Sequence, residues 1–110
     1  GPTNPVLIEA VKTRIAKLKA ADPHNSSPIP VDLVTTSGSG LDPHISAAAA
    51  YYQIMRVARE RRLPEKQIKT LVDTHVEHPF LGFFGEPRVN VLKLNHSLER
   101  LTLKQQYPSD

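Results

Sequence analysis

No cysteine occurs among the 110 residues, which removes disulfides, thiolate nucleophiles and thiolate metal sites together. The same absence suits an oxidising and a reducing compartment equally, so it gives no location. No apolar run approaches the roughly 18 to 20 residues that cross a bilayer. The longest are stretches such as Val6-Leu7-Ile8 and Ala47-Ala48-Ala49-Ala50. Gly1-Pro2-Thr3-Asn4-Pro5 has neither a basic start nor an apolar stretch with a small-residue cleavage site, so it does not read as a signal peptide. The pattern G-x-x-x-x-G-K-[ST] is missing, and with it a lysine to meet β and γ phosphate oxygens. G-x-S-x-G is missing too; Gly38-Ser39-Gly40 matches it only in part, and no serine has a local signature of activation. Basic residues and stacking aromatics do not interleave: Arg56, Arg59, Arg61 and Arg62 fall in one segment and all three phenylalanines in another, which argues against nucleic-acid binding.

What is present suits one core, with 39% hydrophobic residues and a formal charge of +3 spread over what read as solvated helix faces. Asn4 as cap and Pro5 at a first helical position open an amphipathic helix carrying Leu7, Val11, Ile15 and Leu18. It fades at Ala21-Asp22-Pro23 into a polar, proline-rich loop running to Pro30. Val31 to Thr35 has the β-branched content of a strand. Ser46 caps a second helix, with Ala47, Ala50, Tyr51, Ile54, Val57 and Ala58 on one stripe and an end near Arg62. Pro64-Glu65 opens a third, with Ile68, Leu71, Val72 and Val76 facing inward and Lys66, Lys69, Asp73 and Glu77 outward. Arg88 to Leu94 alternates with period two and reads as a second strand, after which Asn95 caps a short last helix carrying Leu98 and Leu101. The expected fold class is α+β, about four helices packed on a small antiparallel sheet, in one domain spanning residues 1–110.

Two corners carry the chemistry. Ser37-Gly38-Ser39-Gly40 runs into Leu41-Asp42-Pro43-His44, where glycines permit positive φ and exposed amides ahead of a helix favour negative groups. It reads as a strand-to-helix corner, with nucleotide binding at Ser37, Gly38, Ser39 and Gly40 as the alternative. Asp42 reads as a turn and cap unit whose carboxylate accepts backbone N–H groups, with a general base as the other reading. The second corner, Gly85-Glu86-Pro87-Arg88-Val89-Asn90, sets an acid, a rigid turn residue, a forked cation and an amide side by side. Partner recognition and an internal ion pair that closes the turn both fit it. His75 and His78, with Glu77 beside them and His44 elsewhere in the fold, have the residue types of a metal site. A cationic imidazole at a helix carboxyl end accounts for the pair without a metal.

With these residues quoted, the chain resembles the C subunits of Kdp potassium-transporting ATPases along nearly its whole length. The matching blocks are Gly1 to Pro5, Pro30 to Ser46, Arg56 to Arg59, Leu81-Gly82, Gly85 to Leu92 and Leu94-Asn95. In that light Gly1-Pro2 resembles native sequence more than a protease scar. The resemblance implies a transmembrane helix ahead of this segment, and so a membrane protein with this domain on the extracytoplasmic side. It implies two partners: a channel-like potassium-binding subunit and a P-type ATPase subunit that carries the phosphorylated aspartate. It implies no catalytic residue, no metal and no cofactor here. Its role would be to support assembly and to cap or hold the potassium entrance; the alternative is a chaperone-like module that raises ATP affinity. The expected contact residues are Ser37, Gly38, Ser39, Gly40, Asp42, Gly85, Glu86, Pro87, Arg88 and Asn90, on two corners expected to lie close together. Ala47 stands where many members have proline, and His96-Ser97 replaces a more apolar pair.

Overall fold

Asn4 Oδ1 accepts the Val6 N–H at 3.0 Å and Pro5 fills the first turn, so helix α1 (Pro5–Ala21) begins where the cap and proline predict. The computed structural model describes residues 4–35, 42–78 and 85–108. No α1 residue is buried: Val11, Ile15 and Leu18 are half-covered, while Val6, Leu7 and Ile8 are exposed. A polar knot ties the end of α1 to the body. Asp22, only 3% exposed, accepts from Asn25 Nδ2 at 3.2 Å and from Arg59 Nη1 at 3.4 Å. Arg59 Nη2 donates to Ala21 O at 2.7 Å, and Asn25 Nδ2 also donates to Tyr52 O at 2.9 Å. Arg59 is therefore a tie between elements, where composition suggested a solvated face.

Val31–Leu33 is a 3₁₀ turn, and the strand expected there does not form. A strand there would turn Asp32 to one face of a sheet; instead its carboxylate takes the Ser46 N–H at 2.8 Å and the Ser46 hydroxyl at 2.9 Å, which ties the turn to the edge of the strand that holds Ser46. The strand that pairs is β1 (His44–Ser46), with β2 (Val76–Glu77) and β3 (Arg88–Asn90). The order is β1-β3-β2, antiparallel throughout, with His44↔Asn90, Ile45↔Val89, Ser46↔Arg88, Val76↔Val89 and Glu77↔Arg88 in register. Pleat alternation then sorts the residues by face. Ile45, Val76 and Val89 point to the core; His44, Ser46, Glu77, Arg88 and Asn90 share the other face.

The strand expected over Arg88 to Leu94 stops at Asn90, because the Asn90 side chain accepts the Lys93 N–H at 3.1 Å and starts helix α5 (Val91–Gln106). Asn90, not Asn95, is the cap. Leu94, Leu98 and Leu101, at spacings of four and three, then turn inward together. Ser46 Oγ accepts the Ala49 N–H at 3.0 Å, which opens helix α2 (Ala47–Tyr52) as its cap predicts. The single long helix expected from Ala47 to Arg62 is interrupted at Gln53, whose Nε2 donates to Ala49 O at 3.1 Å, and resumes as α3 (Ile54–Arg61). Within α2 the buried stripe differs from the expected one: Tyr52 is buried and Tyr51 faces out, its hydroxyl donating to Asp73. Helix α4 (Glu65–His75) follows Pro64 as expected but ends before Val76 and Glu77, which join the sheet. The described residues thus form five α-helices and a three-stranded sheet, an α+β fold. Ala50, Ala58, Leu63, Ile68, Val72, Val89, Leu94 and Leu98 make the core beneath it. No helix among the described residues is long and apolar enough to cross a membrane.

Candidate functional site

The outer face of the sheet is where the two corners meet. The Ala47 N–H donates to Pro87 O and the Val91 N–H donates to Pro43 O, each at 2.8 Å. These two bonds bracket the β1·β3 ladder and lock Pro43-His44 against Asn90-Val91 and Ser46-Ala47 against Pro87-Arg88. Asp42, Arg88 and Asn90 are therefore brought to one side of the sheet, with Gly85, Glu86 and Pro87 exposed as the lead into β3. The corners converge through β1, not through the strand expected at Val31 to Thr35. Ser37, Gly38, Ser39 and Gly40 lie outside the described residues.

The ladder alternates, so β1 residues between the bonded pairs turn their amides outward. Both outward amides are already taken. Asp42 Oδ1 accepts the His44 N–H at 2.9 Å, and Asp32 Oδ2 accepts that of Ser46. The edge of β1 is thus closed to a further strand by carboxylates. The turn reading of Asp42 holds, though the turn leads into a strand and Ser46 supplies the helix cap. The His44 amide, then its ring, hold the Asp42 carboxyl below its ordinary range, with Arg88 adding a smaller attraction.

His44 and Glu77, neither proposed from sequence as a contact residue, organise this face. The His44 ring places Nδ1 2.8 Å from Asp42 Oδ1 and Nε2 3.2 Å from Glu77 Oε1. Arg88 Nε lies 3.8 Å from the same Glu77 oxygen. The ion pair at the second corner therefore forms with Glu77 across the ladder; Arg88 to Glu86, two residues back, is not among the described pairs. Glu77 carries no sequence signal for this role, since period-3.6 reading puts it on the outer face of α4. His75 goes elsewhere: Nδ1 is 2.8 Å from Leu71 O and Nε2 3.0 Å from Ser97 Oγ, so Ser97 finds its use there. Pro30, Val31, Asp32, Thr35, Ser46 and Glu86 line a shallow depression of about 390 Å³ beside the Gly85 corner. What this surface offers is fixed backbone corners, one forked cation and several acids.

The sequence matches the family described as KdpC, K+-transporting ATPase, c chain, over residues 1–100. It is 65% identical over 98 residues to a "Potassium-transporting ATPase KdpC subunit" of Ralstonia nicotianae, covering 89% of this chain and 48% of that protein. Proteins of the same name from Janthinobacterium sp. strain Marseille and Methylococcus capsulatus strain Bath are 60% identical over 100 residues and 59% over 101. Those alignments cover 91% and 92% of this chain and 53% of each relative. The chain spans about half the length of the curated relatives it matches. With the matched residues running through both corners and the helices that carry them, the chain belongs to the KdpC family of K+-transporting ATPase c chains.

Proposed function

We propose that this domain is a noncatalytic docking element of an ATP-driven potassium uptake complex, where it supports assembly and holds the potassium entrance in shape. Its partners are a channel-like potassium-binding subunit and a P-type ATPase subunit. It stands on the extracytoplasmic side of the cell membrane, held there by a transmembrane helix ahead of this segment. The observation that carries the reading is the pair of 2.8 Å backbone bonds, Val91 N–H to Pro43 O and Ala47 N–H to Pro87 O, that fuse the segment from Pro43 to Ala47 to the segment from Pro87 to Val91 as one rigid unit. Rigid, proline-fixed backbone loses little freedom on binding, which favours a docking surface. The net charge of +3 disfavours concentrating potassium through the overall field, so the holding role rests on shape and on local groups such as Asp42, Glu86 and Arg88.

The test is reconstitution of the whole pump with Pro87→Ala and Arg88→Ala in this subunit, following complex recovery and the apparent affinities for potassium and ATP. Lower recovery or weaker potassium affinity is the expected result. Unchanged recovery and unchanged affinities refute the docking edge. A change confined to ATP affinity favours the chaperone-like alternative, in which Ser37 to Gly40 meet nucleotide.

A further inference from the structure

We propose that His44 is a proton-operated clamp across the outer face of the sheet, which goes beyond the docking reading and acts within this domain alone. β1 and β2 flank β3 and share no ladder with each other, since the strand order is β1-β3-β2. The His44 side chain, 19% exposed, bridges them: Nδ1 to Asp42 at 2.8 Å on one side, Nε2 to Glu77 at 3.2 Å on the other. A neutral imidazole has one N–H and one bare lone pair, so it donates to only one of two carboxylates and turns a lone pair toward the other. An imidazolium donates to both. The observed geometry, with an acid at hydrogen-bond distance from each ring nitrogen, is the one that the cation satisfies.

The surrounding charges agree. Asp42 faces the ring from its own segment, Glu77 from β2, and Arg88 from β3, where its Nε lies 3.8 Å from Glu77. Asn90, opposite His44 on β3, is uncharged and its Oδ1 is used by the Lys93 amide. Asp32 is directed at Ser46. Two carboxylates and one guanidinium leave one negative charge, which a protonated ring balances. The sign follows: the clamp is closed with the ring protonated and both acids ionised, and opens as pH rises and the ring loses its proton. Release leaves Glu77 to Arg88 alone and frees the Asp42 turn from its side-chain tie, loosening β1 against β2.

Backbone amide hydrogen exchange of the 110-residue chain at about pH 5.5 and about pH 8, either side of where imidazoles ordinarily titrate, tests this. Rates are divided by the intrinsic rate at each pH, with Val72 in α4 as internal reference. Ile45 and Glu77 should be about two- to fivefold better protected at the lower pH, the scale of one partly exposed ion pair. His44→Gln and Glu77→Gln should each flatten that response. Equal protection at both pH values in the unaltered chain overturns the clamp, as does an undiminished response in His44→Gln. Should His44→Gln fail to fold, an undiminished response in Glu77→Gln overturns it equally.

Discussion

Val89 sits where the sheet and the core meet, and its truncation gives a quantitative check on the architecture. It is fully buried, pairs with Ile45 on one side and Val76 on the other, and packs on the core cluster. Val89→Ala removes two methyl groups, about 1.6 kcal/mol of transfer energy at about 0.8 kcal/mol each. A cavity contribution follows because a centre-strand position between two neighbours cannot collapse fully, and β preference adds a few tenths. The expected loss is about 2 to 3 kcal/mol. Val31→Ala is the matched control: both valines have strand-like sequence contexts, yet Val31 is 73% exposed in the 3₁₀ turn and should cost less than about 0.5 kcal/mol. Urea unfolding followed by circular dichroism measures both, with an unchanged m-value showing that the two-state comparison holds. Equal losses for the two variants, or a Val89→Ala loss under about 1 kcal/mol, would refute the assignment of β3 as the central strand.

Arg62 is the one described non-glycine residue with positive φ, 56°, and it closes α3 through Leu63 N–H to Ala58 O at 3.0 Å. Arg62→Gly relieves about 1 to 2 kcal/mol of left-handed strain against about 0.5 to 1 kcal/mol of added unfolded-state freedom. It should therefore raise the urea midpoint, whereas Arg62→Ala should not. Asp22→Ala removes the buried carboxylate of the knot and leaves Arg59 and Asn25 only their backbone acceptors, Ala21 O and Tyr52 O, so thermal or urea unfolding should show a loss of about 1 to 3 kcal/mol. Asp42 has its folded pKa depressed, so its contribution is present above the ordinary carboxylate range and disappears as pH falls through the depressed value. Asp73, lowered first by the Tyr51 hydroxyl and then by Lys69, follows the same sign. Asp42→Asn should accordingly be less sensitive than the unaltered chain to acid below about pH 4, as read from stability against pH.

Three helix starts were legible because caps are local, whereas the last helix starts at Asn90 and not at the expected Asn95. Asn4 and Ser46 cap amides two and three residues on, Pro64 fixes the backbone at the entry to α4, and each opens a helix as its type suggests. Of the strands, β3 was legible at its Arg88 start, though not at its Asn90 end; β1 and β2 were not, because they are three and two residues long, too short for a period to register. Pairing decides them. Val31 to Thr35 has the better β composition, but Asp32 is drawn to Ser46, fourteen residues away, and the chain turns. Basic residues misled for a similar reason. Arg14 donates to Val34 O at 3.1 Å and Arg61 to Glu99 at 3.2 Å, partners 20 and 38 residues distant that no local reading pairs. At the site, the Asp42 turn is a local device and could be read, as could the turn chemistry around Pro87. Glu77 could not, since its place depends on α4 stopping at His75 and on β3 arriving beside it.

If this domain docks as proposed, the fused corner faces a neighbouring subunit. The chain holds no cysteine, so Glu86→Cys gives it a single thiol on the exposed turn, and Lys66→Cys one on the outward side of α4. Each variant is assembled into the whole pump and treated with a short thiol-to-amine cross-linker. On the docking reading, Glu86→Cys should join to the channel-like subunit while Lys66→Cys should not. Cross-linking from Lys66→Cys alone, or none from Glu86→Cys in an assembled and active pump, would contradict it.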